Sequence, residues 1–226
     1  MKIFADMNIL LVSATTMEVA HFRDLYARNK QSDFKGIDIR FLTSGIGMLS
    51  TAARLTGALK RDPVDLIIQA GICGSFDNNF QPGTVYWVET DAIADMGVME
   101  DNLWKDVFDL GLVGSDEPPY TGRSLFCRKP LSLDLADIPS ANAITVNEVT
   151  TDPARIVLYR QRFNADLESM EGAALHFVAL ENNIPFLQLR SVSNYIGDRN
   201  KANWKIKESV FNLNETLAGL IKNIQI

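Results

Sequence analysis

Hydrophobic and polar positions alternate along this chain in two rhythms, and the switch between them recurs from one end to the other. Asn8-Ile9-Leu10-Leu11-Val12-Ser13 is a short continuous apolar run, the pattern of a strand buried on both faces. From about Met17 to Asn29 the spacing becomes helical. Ile37-Asp38-Ile39-Arg40-Phe41 alternates as a strand, Ser44-Gly45-Ile46-Gly47 turns the chain, and a second helix runs to about Arg61, where Pro63 stops it. Leu66-Ile67-Ile68-Gln69-Ala70 predicts another buried strand, followed by Gly71-Ile72-Cys73-Gly74-Ser75 as a glycine loop. Val85-Tyr86-Trp87-Val88 reads as a strand after the Pro82-Gly83 turn. Between about Asp91 and Leu135 the periodicity fades, and Pro118-Pro119-Tyr120 is loop. Alternation resumes with a strand at Ile144-Thr145-Val146 and a helix from Pro153, capped by Asp152. A short strand at Ala165 to Leu167, a helix from Glu171, a strand from Phe186 to Val192 and a last helix toward Ile224 complete the series.

Strand and helix in turn predict a mostly parallel sheet covered on both faces, a single three-layer α/β/α domain over residues 1–226. No internal repeat, low-complexity tract or linker interrupts it. A hydrophobic content of 46% with 22% charged residues supports a substantial core. The net charge of -6, without a basic stripe, argues against a nucleic-acid partner. Cys73 and Cys127 form no CxxC pair, and His21 and His176 are the only histidines, so a metal site is not expected. Met7 to Ala14 is too short to span a bilayer and lacks a signal-peptide pattern. The expectation is a cytoplasmic protein without membrane association.

Candidate chemistry gathers where strands end. In an α/β sheet ligands bind beyond the carboxyl ends of the strands. Glu18 falls just past the first strand, Glu171 opens a helix, and Asn194 follows the strand that starts at Phe186. A carboxylate accepts from ribose hydroxyls and an amide reads the edge of a purine, so the set suits a nucleoside. Each residue also has a plain structural account. Thr15-Thr16-Met17-Glu18 fits a capping box, Glu171 is a first-turn acid, and Asn194 caps a loop. The glycine stretches match neither GxGxxG nor a P-loop, so they read as a pocket floor that admits a flat ring.

Four stretches carry a family resemblance. Ser44-Gly45-Ile46-Gly47, Gln69-Ala70-Gly71-Ile72-Cys73-Gly74-Ser75, Glu168-Ser169-Met170-Glu171-Gly172-Ala173-Ala174 and Arg190-Ser191-Val192-Ser193-Asn194 resemble the purine nucleoside phosphorylase and nucleosidase superfamily in order and spacing. The resemblance implies a central mixed sheet, a small-molecule nucleoside substrate, a homo-oligomer and no cofactor or metal. It puts Glu18 where nucleosidases keep a water-activating carboxylate, and Glu171 with Met170 against the ribose. It puts Asn194 at the purine edge and Val149 in the base pocket, with Ile72, Cys73, Gly74, Arg190 and Ser193 around them. Asp95 to Asp101 and Ser193 to Arg199, ahead of Trp204, resemble a hydrolytic branch that releases hypoxanthine. Arg199 and Trp204 are candidates for the far end of such a substrate, with Arg54, Phe80, Phe126 and Tyr195 as further ones.

The readings that compete are a phosphorylase, a methylthioadenosine-type nucleosidase and a catalytically silent nucleoside-binding module. Gln69 and Ile72 stand where the resembled phosphorylases place an Arg and a Ser for phosphate, which favours water as nucleophile. Asn194 stands where an adenine-specific nucleosidase would carry Asp. A binding module has no need of both Glu18 and Glu171.

Overall fold

A computed structural model describes residues 7–101 and 103–224. The apolar runs become strands and the helical stretches become helices. β1 (Met7–Ser13) pairs in parallel with β2 (Ile37–Thr43) on one side and β3 (Leu66–Ser75) on the other. The first helical stretch divides into a 3-10 turn at Thr16–Val19 and α1 (Ala20–Asn29). α2 (Met48–Leu59) begins after Gly47, whose φ of 89° is a conformation that glycine adopts without strain.

The glycine stretch after Ala70 is not a loop. β3 runs on through Gly71 to Ser75, because β10 (Phe186–Tyr195) pairs with it in parallel along nearly its whole length. Tertiary pairing overrides the weak strand preference of glycine here. β4 (Val85–Ile93) is longer than its apolar core and pairs antiparallel with β10 and parallel with β8 (Ser140–Thr145). The weakly periodic segment contains a two-stranded hairpin, β5 (Gly97–Glu100) with β6 (Leu103–Asp106), and a two-residue β7 (Leu125–Phe126) against β4.

The short strand expected from Ala165 lies slightly later, as β9 (Leu167–Ser169), between α3 (Pro153–Phe163) and α4 (Gly172–Glu181). Asp152 caps α3 as expected, accepting from the Ala154 and Arg155 amides. β9 pairs in parallel with β8 and antiparallel with the end of β3, Gly74 opposite Glu168 and Ser75 opposite Leu167. The mixed sheet therefore closes on itself. β3, β10, β4, β8 and β9 close into a ring, with β1 and β2 extending one side.

α5 (Ile206–Lys222) packs over β3 and β10 beside α1, while α2 and α4 pack together elsewhere on the sheet. Ile9, Leu11, Leu66, Ile67, Ile68, Leu187, Leu189 and Leu217 lie in the main core, each 1% exposed or less. At about 25 cal/mol per Å² of apolar surface removed from water, such side chains supply most of the drive to fold.

Candidate active site

The first carboxylate is positioned from three directions. Glu18 is 5% exposed, and its Oε2 accepts from the backbone N–H (2.8 Å) and hydroxyl (3.1 Å) of Thr15. Its Oε1 faces the other way and accepts from the Ile72 amide at 3.2 Å. The turn itself is clamped by buried Asn214 of α5, which donates to the Glu18 carbonyl (2.8 Å) and accepts from the Phe22 amide (2.7 Å). Capping and a place at the cavity thus belong to the same side chain. Burial pushes the Glu18 pKa above its ordinary value, against hydrogen bonds from Thr15 and Ile72 and the field of Arg190 that pull it down.

The second carboxylate sits opposite. Glu171 is the residue before the first turn of α4, and its Oε1 accepts from the Gly47 amide at 3.1 Å. Its Oε2 lies 3.5 Å from Arg190 Nη1. Arg190 is 1% exposed and also donates to the Ile72 carbonyl (3.4 Å) and to Gln69 Oε1 (3.0 Å). A Cβ on Gly71 would come within 2.6 Å of Arg190 Nη1 and 2.9 Å of Glu18 Oε1. Glycine at this point of β3 is what lets the charged groups meet.

β10 supplies the third part. Its register against β3 slips between Val192 and Asn194, so Ser193 is an extra residue. Neighbours in a regular strand point to opposite faces, but this bulge turns both Ser193 and Asn194 to the cavity. Asn194 Oδ1 lies 2.8 Å from the Ser193 hydroxyl, and its amide nitrogen donates to the Tyr195 carbonyl at 3.0 Å. One amide hydrogen is left for a ligand. A Cβ on Gly74 would press Ile196 at 2.8 Å, so this glycine makes room for the adjoining wall.

These parts enclose a cavity of about 390 Å³. Glu18, Ile72, Cys73, Gly74, Val149, Met170, Glu171, Ser193 and Asn194 all line it, as do Arg199 and Trp204, the guanidinium 5.3 Å from the centre of the indole ring. Arg190 lies behind the wall, reaching the site through Glu171 and Ile72. Burial raises the Cys73 thiol to about 12, which makes it a wall residue and not a nucleophile. Arg54, Phe80, Phe126 and Tyr195 are not among the lining residues. Arg54 donates to the Thr43 carbonyl, Phe80 packs on Tyr86, Phe126 is an exposed β7 residue, and the Tyr195 hydroxyl donates to Gln81.

Other lining residues, Thr150, Glu168 and Ile196 among them, are not singled out as site residues by the sequence. Glu168 Oε1 accepts from the Thr150 amide at 3.0 Å and so ties the Val149 loop to β9. The signal is an acid inside a short apolar strand. No described group of three or more His, Cys, Asp or Glu is arranged to hold a metal ion, and no described helix is long and apolar enough to cross a membrane.

Residues 13–224 match the model of the phosphorylase superfamily, and the chain belongs to that family. In sequence it is similar to the futalosine hydrolase of Thermus thermophilus, 28% identical over 209 residues, covering 89% of each chain. It is also similar to the futalosine hydrolase of Streptomyces coelicolor, 31% identical over 188 residues, covering 79% of this chain and 77% of the relative. Its fold is shared with the 5'-methylthioadenosine/S-adenosylhomocysteine nucleosidase of Helicobacter pylori crystallised with butyl-thio-DADMe-Immucillin-A, at a TM-score of 0.78 and 16% identity, covering 96% of this chain and 99% of that one.

Proposed function

We propose that this protein hydrolyses the N-ribosidic bond of futalosine, releasing hypoxanthine, a reaction the resemblance assigns to a bacterial menaquinone route. Purine nucleosidase activity is the broader statement, carried by the family and by relatives named as futalosine hydrolases. The fold does not select the base, since an adenosine-type nucleosidase shares it. Asn194 is the observation that carries the finer reading. The Tyr195 carbonyl, which can only accept, fixes which end of the Asn194 amide is nitrogen and leaves one of its N–H groups free as a donor. A 6-oxopurine offers an acceptor at position 6, where adenine offers an amino donor, while N7 accepts in both.

Breaking the bond builds positive charge on the ribose and negative charge on the departing base. Glu171, fixed in place by Arg190 and the Gly47 amide, accepts from the ribose hydroxyls and steadies the cationic sugar. Glu18 takes the proton from the attacking water, and its raised pKa makes it a stronger base than an exposed carboxylate. The Asn194 side chain donates to the purine edge. Purified protein incubated in phosphate-free buffer with futalosine, inosine and methylthioadenosine tests the reading by the free base released. The expected result is hypoxanthine from futalosine at the highest kcat/KM. Adenine release from methylthioadenosine at a higher kcat/KM overturns it.

A further inference from the structure

Behind Glu171, on the side away from the cavity, lies a fully buried polar chain, none of whose members lines the cavity. Arg190 Nε points into it, toward Gln188, which is 0% exposed. In the orientation that satisfies all its neighbours, the Gln188 amide nitrogen donates to Asp91 Oδ2 (3.1 Å) and His176 Nε2 (2.7 Å), and its oxygen accepts from Arg190 Nε (2.9 Å). His176 Nδ1 is 3.0 Å from the Leu125 carbonyl, which can only accept. The ring therefore carries its hydrogen on Nδ1 and offers Nε2 as a bare acceptor. Burial keeps His176 neutral, its pKa pushed down to about 4.

Asp91 continues the chain. Its Oδ1 accepts from the Thr145 hydroxyl at 2.8 Å, and the same hydroxyl oxygen accepts from the Ala173 amide at 2.8 Å, in the first turn of α4. Gly172 lies directly above, and a Cβ there would collide with Asp91 Oδ2 and the Gln188 amide. An amide has a direction. Two acceptors on one side of Gln188 force its oxygen toward Arg190, and a wrong turn would set donor against donor.

We propose that Asp91 and Gln188 are positioning residues for the hydrolytic site: Asp91 fixes the direction of the Gln188 amide, Gln188 fixes the Arg190 guanidinium against Glu171, and Asp91 with Thr145 anchors the helix start that carries Glu171. The inference rests on the reading that Glu171 holds the ribose hydroxyls, and extends it to two residues remote from the cavity.

The test compares kcat and KM of Asp91→Leu, Gln188→Met and the double variant Asp91→Leu/Gln188→Met, near pH 8, about one unit above the Asp91 value of about 7. Asp91→Leu takes from the Gln188 amide one of the two acceptors that set its direction and leaves the Thr145 hydroxyl without its acceptor. A misplaced catalytic group costs on the order of a hundredfold, so kcat should fall by about that much while KM rises. The double variant closes a cycle, since Gln188→Met removes the group through which Asp91 reaches Arg190. Its kcat should fall by clearly less than the product of the two single losses, a coupling that independent sites do not show. Losses that multiply in the double variant, or a wild-type kcat/KM in folded Asp91→Leu, overturn the proposal. If Asp91→Leu does not fold, Gln188→Met decides: it strips Arg190 Nε of its acceptor, and wild-type kcat/KM there overturns the proposal equally. Glu171→Gln is measured alongside. Wild-type turnover in that variant removes the reading of Glu171 itself, whatever Asp91 does.

Discussion

Glu18 serves two purposes because its two oxygens face different ways, one to Thr15 and one to the Ile72 amide. Glu18→Gln keeps the size and part of the cap while relieving a buried charge. Stability should then change by less than about 1 kcal/mol, read from denaturant melts. Turnover should fall at least about a hundredfold; a folded variant with near-normal turnover would reduce Glu18 to its cap. The pH dependence follows from the raised pKa. A base works deprotonated, so activity is lost as pH falls through the folded value, and the acid limb of kcat/KM should lie above 4.5. A limb at or below that value contradicts the assignment. Asn194 is tested through selectivity. Asn194→Asp removes the amide donor, and kcat/KM on a hypoxanthine nucleoside should drop about ten- to a hundredfold relative to adenine nucleosides. Unchanged base preference would move discrimination to another part of the pocket.

Helices carry the site through contacts that local sequence only hints at. Asn214 of α5 clamps the Glu18 turn across 196 residues of chain. Asn214→Leu leaves the Glu18 carbonyl and the Phe22 amide without that partner, costing about 1–3 kcal/mol, with turnover falling alongside. Equal stability in chemical denaturation would show the clamp to be idle. Glycines in two helices separate packing from propensity. Gly172→Ala drives a methyl into Asp91 and Gln188 and should destabilise by about 1–3 kcal/mol. Gly57→Ala, on an exposed face of α2 with open space around it, should stabilise by up to about 1 kcal/mol. Melting temperatures that move in the opposite order would refute both.

Most of these elements are legible in the pattern because each has its own period: the buried runs of β1, β3 and β10, and the capped start of α3. Gly71 to Ser75 reads as a loop because what makes it a strand is β10, more than a hundred residues away. The rim of the site is visible in its acids and in Asn194. The chain from Asp91 through Gln188 to Arg190 is not. Its signal is a polar residue inside each of two buried strands, and nothing local says that the two strands are neighbours.

Across the whole molecule, the acidic balance and the wall chemistry bear on the nucleophile. Gln69 Oε1 is already taken by Arg190, and Ile72 brings an apolar side chain to the cavity. Neither offers an anion the charge-assisted bonds that phosphate needs. Reaction progress should not depend on added phosphate, and the sugar product should carry a free anomeric hydroxyl. Detecting a sugar 1-phosphate by phosphorus NMR would put the enzyme among the phosphorylases.

The ring of strands also sets the order in which the molecule can be made. β3 is complete by Ser75, yet its partners β9 and β10 begin at Leu167 and Phe186. During synthesis one side of β3 therefore waits for a long stretch of later chain, exposing a run that includes Ile67 and Ile68. Pairings of such sequence separation fold slowly, since chain entropy is lost well before contacts repay it. Hydrogen exchange pulsed during refolding should find the β1–β2 amides protected early, and those of Gly71 to Ser75 and β10 protected last. The wall that carries Asn194 is then also the seam at which the fold closes, and substitutions there should be felt in the yield of folded protein before they are felt in its melting temperature.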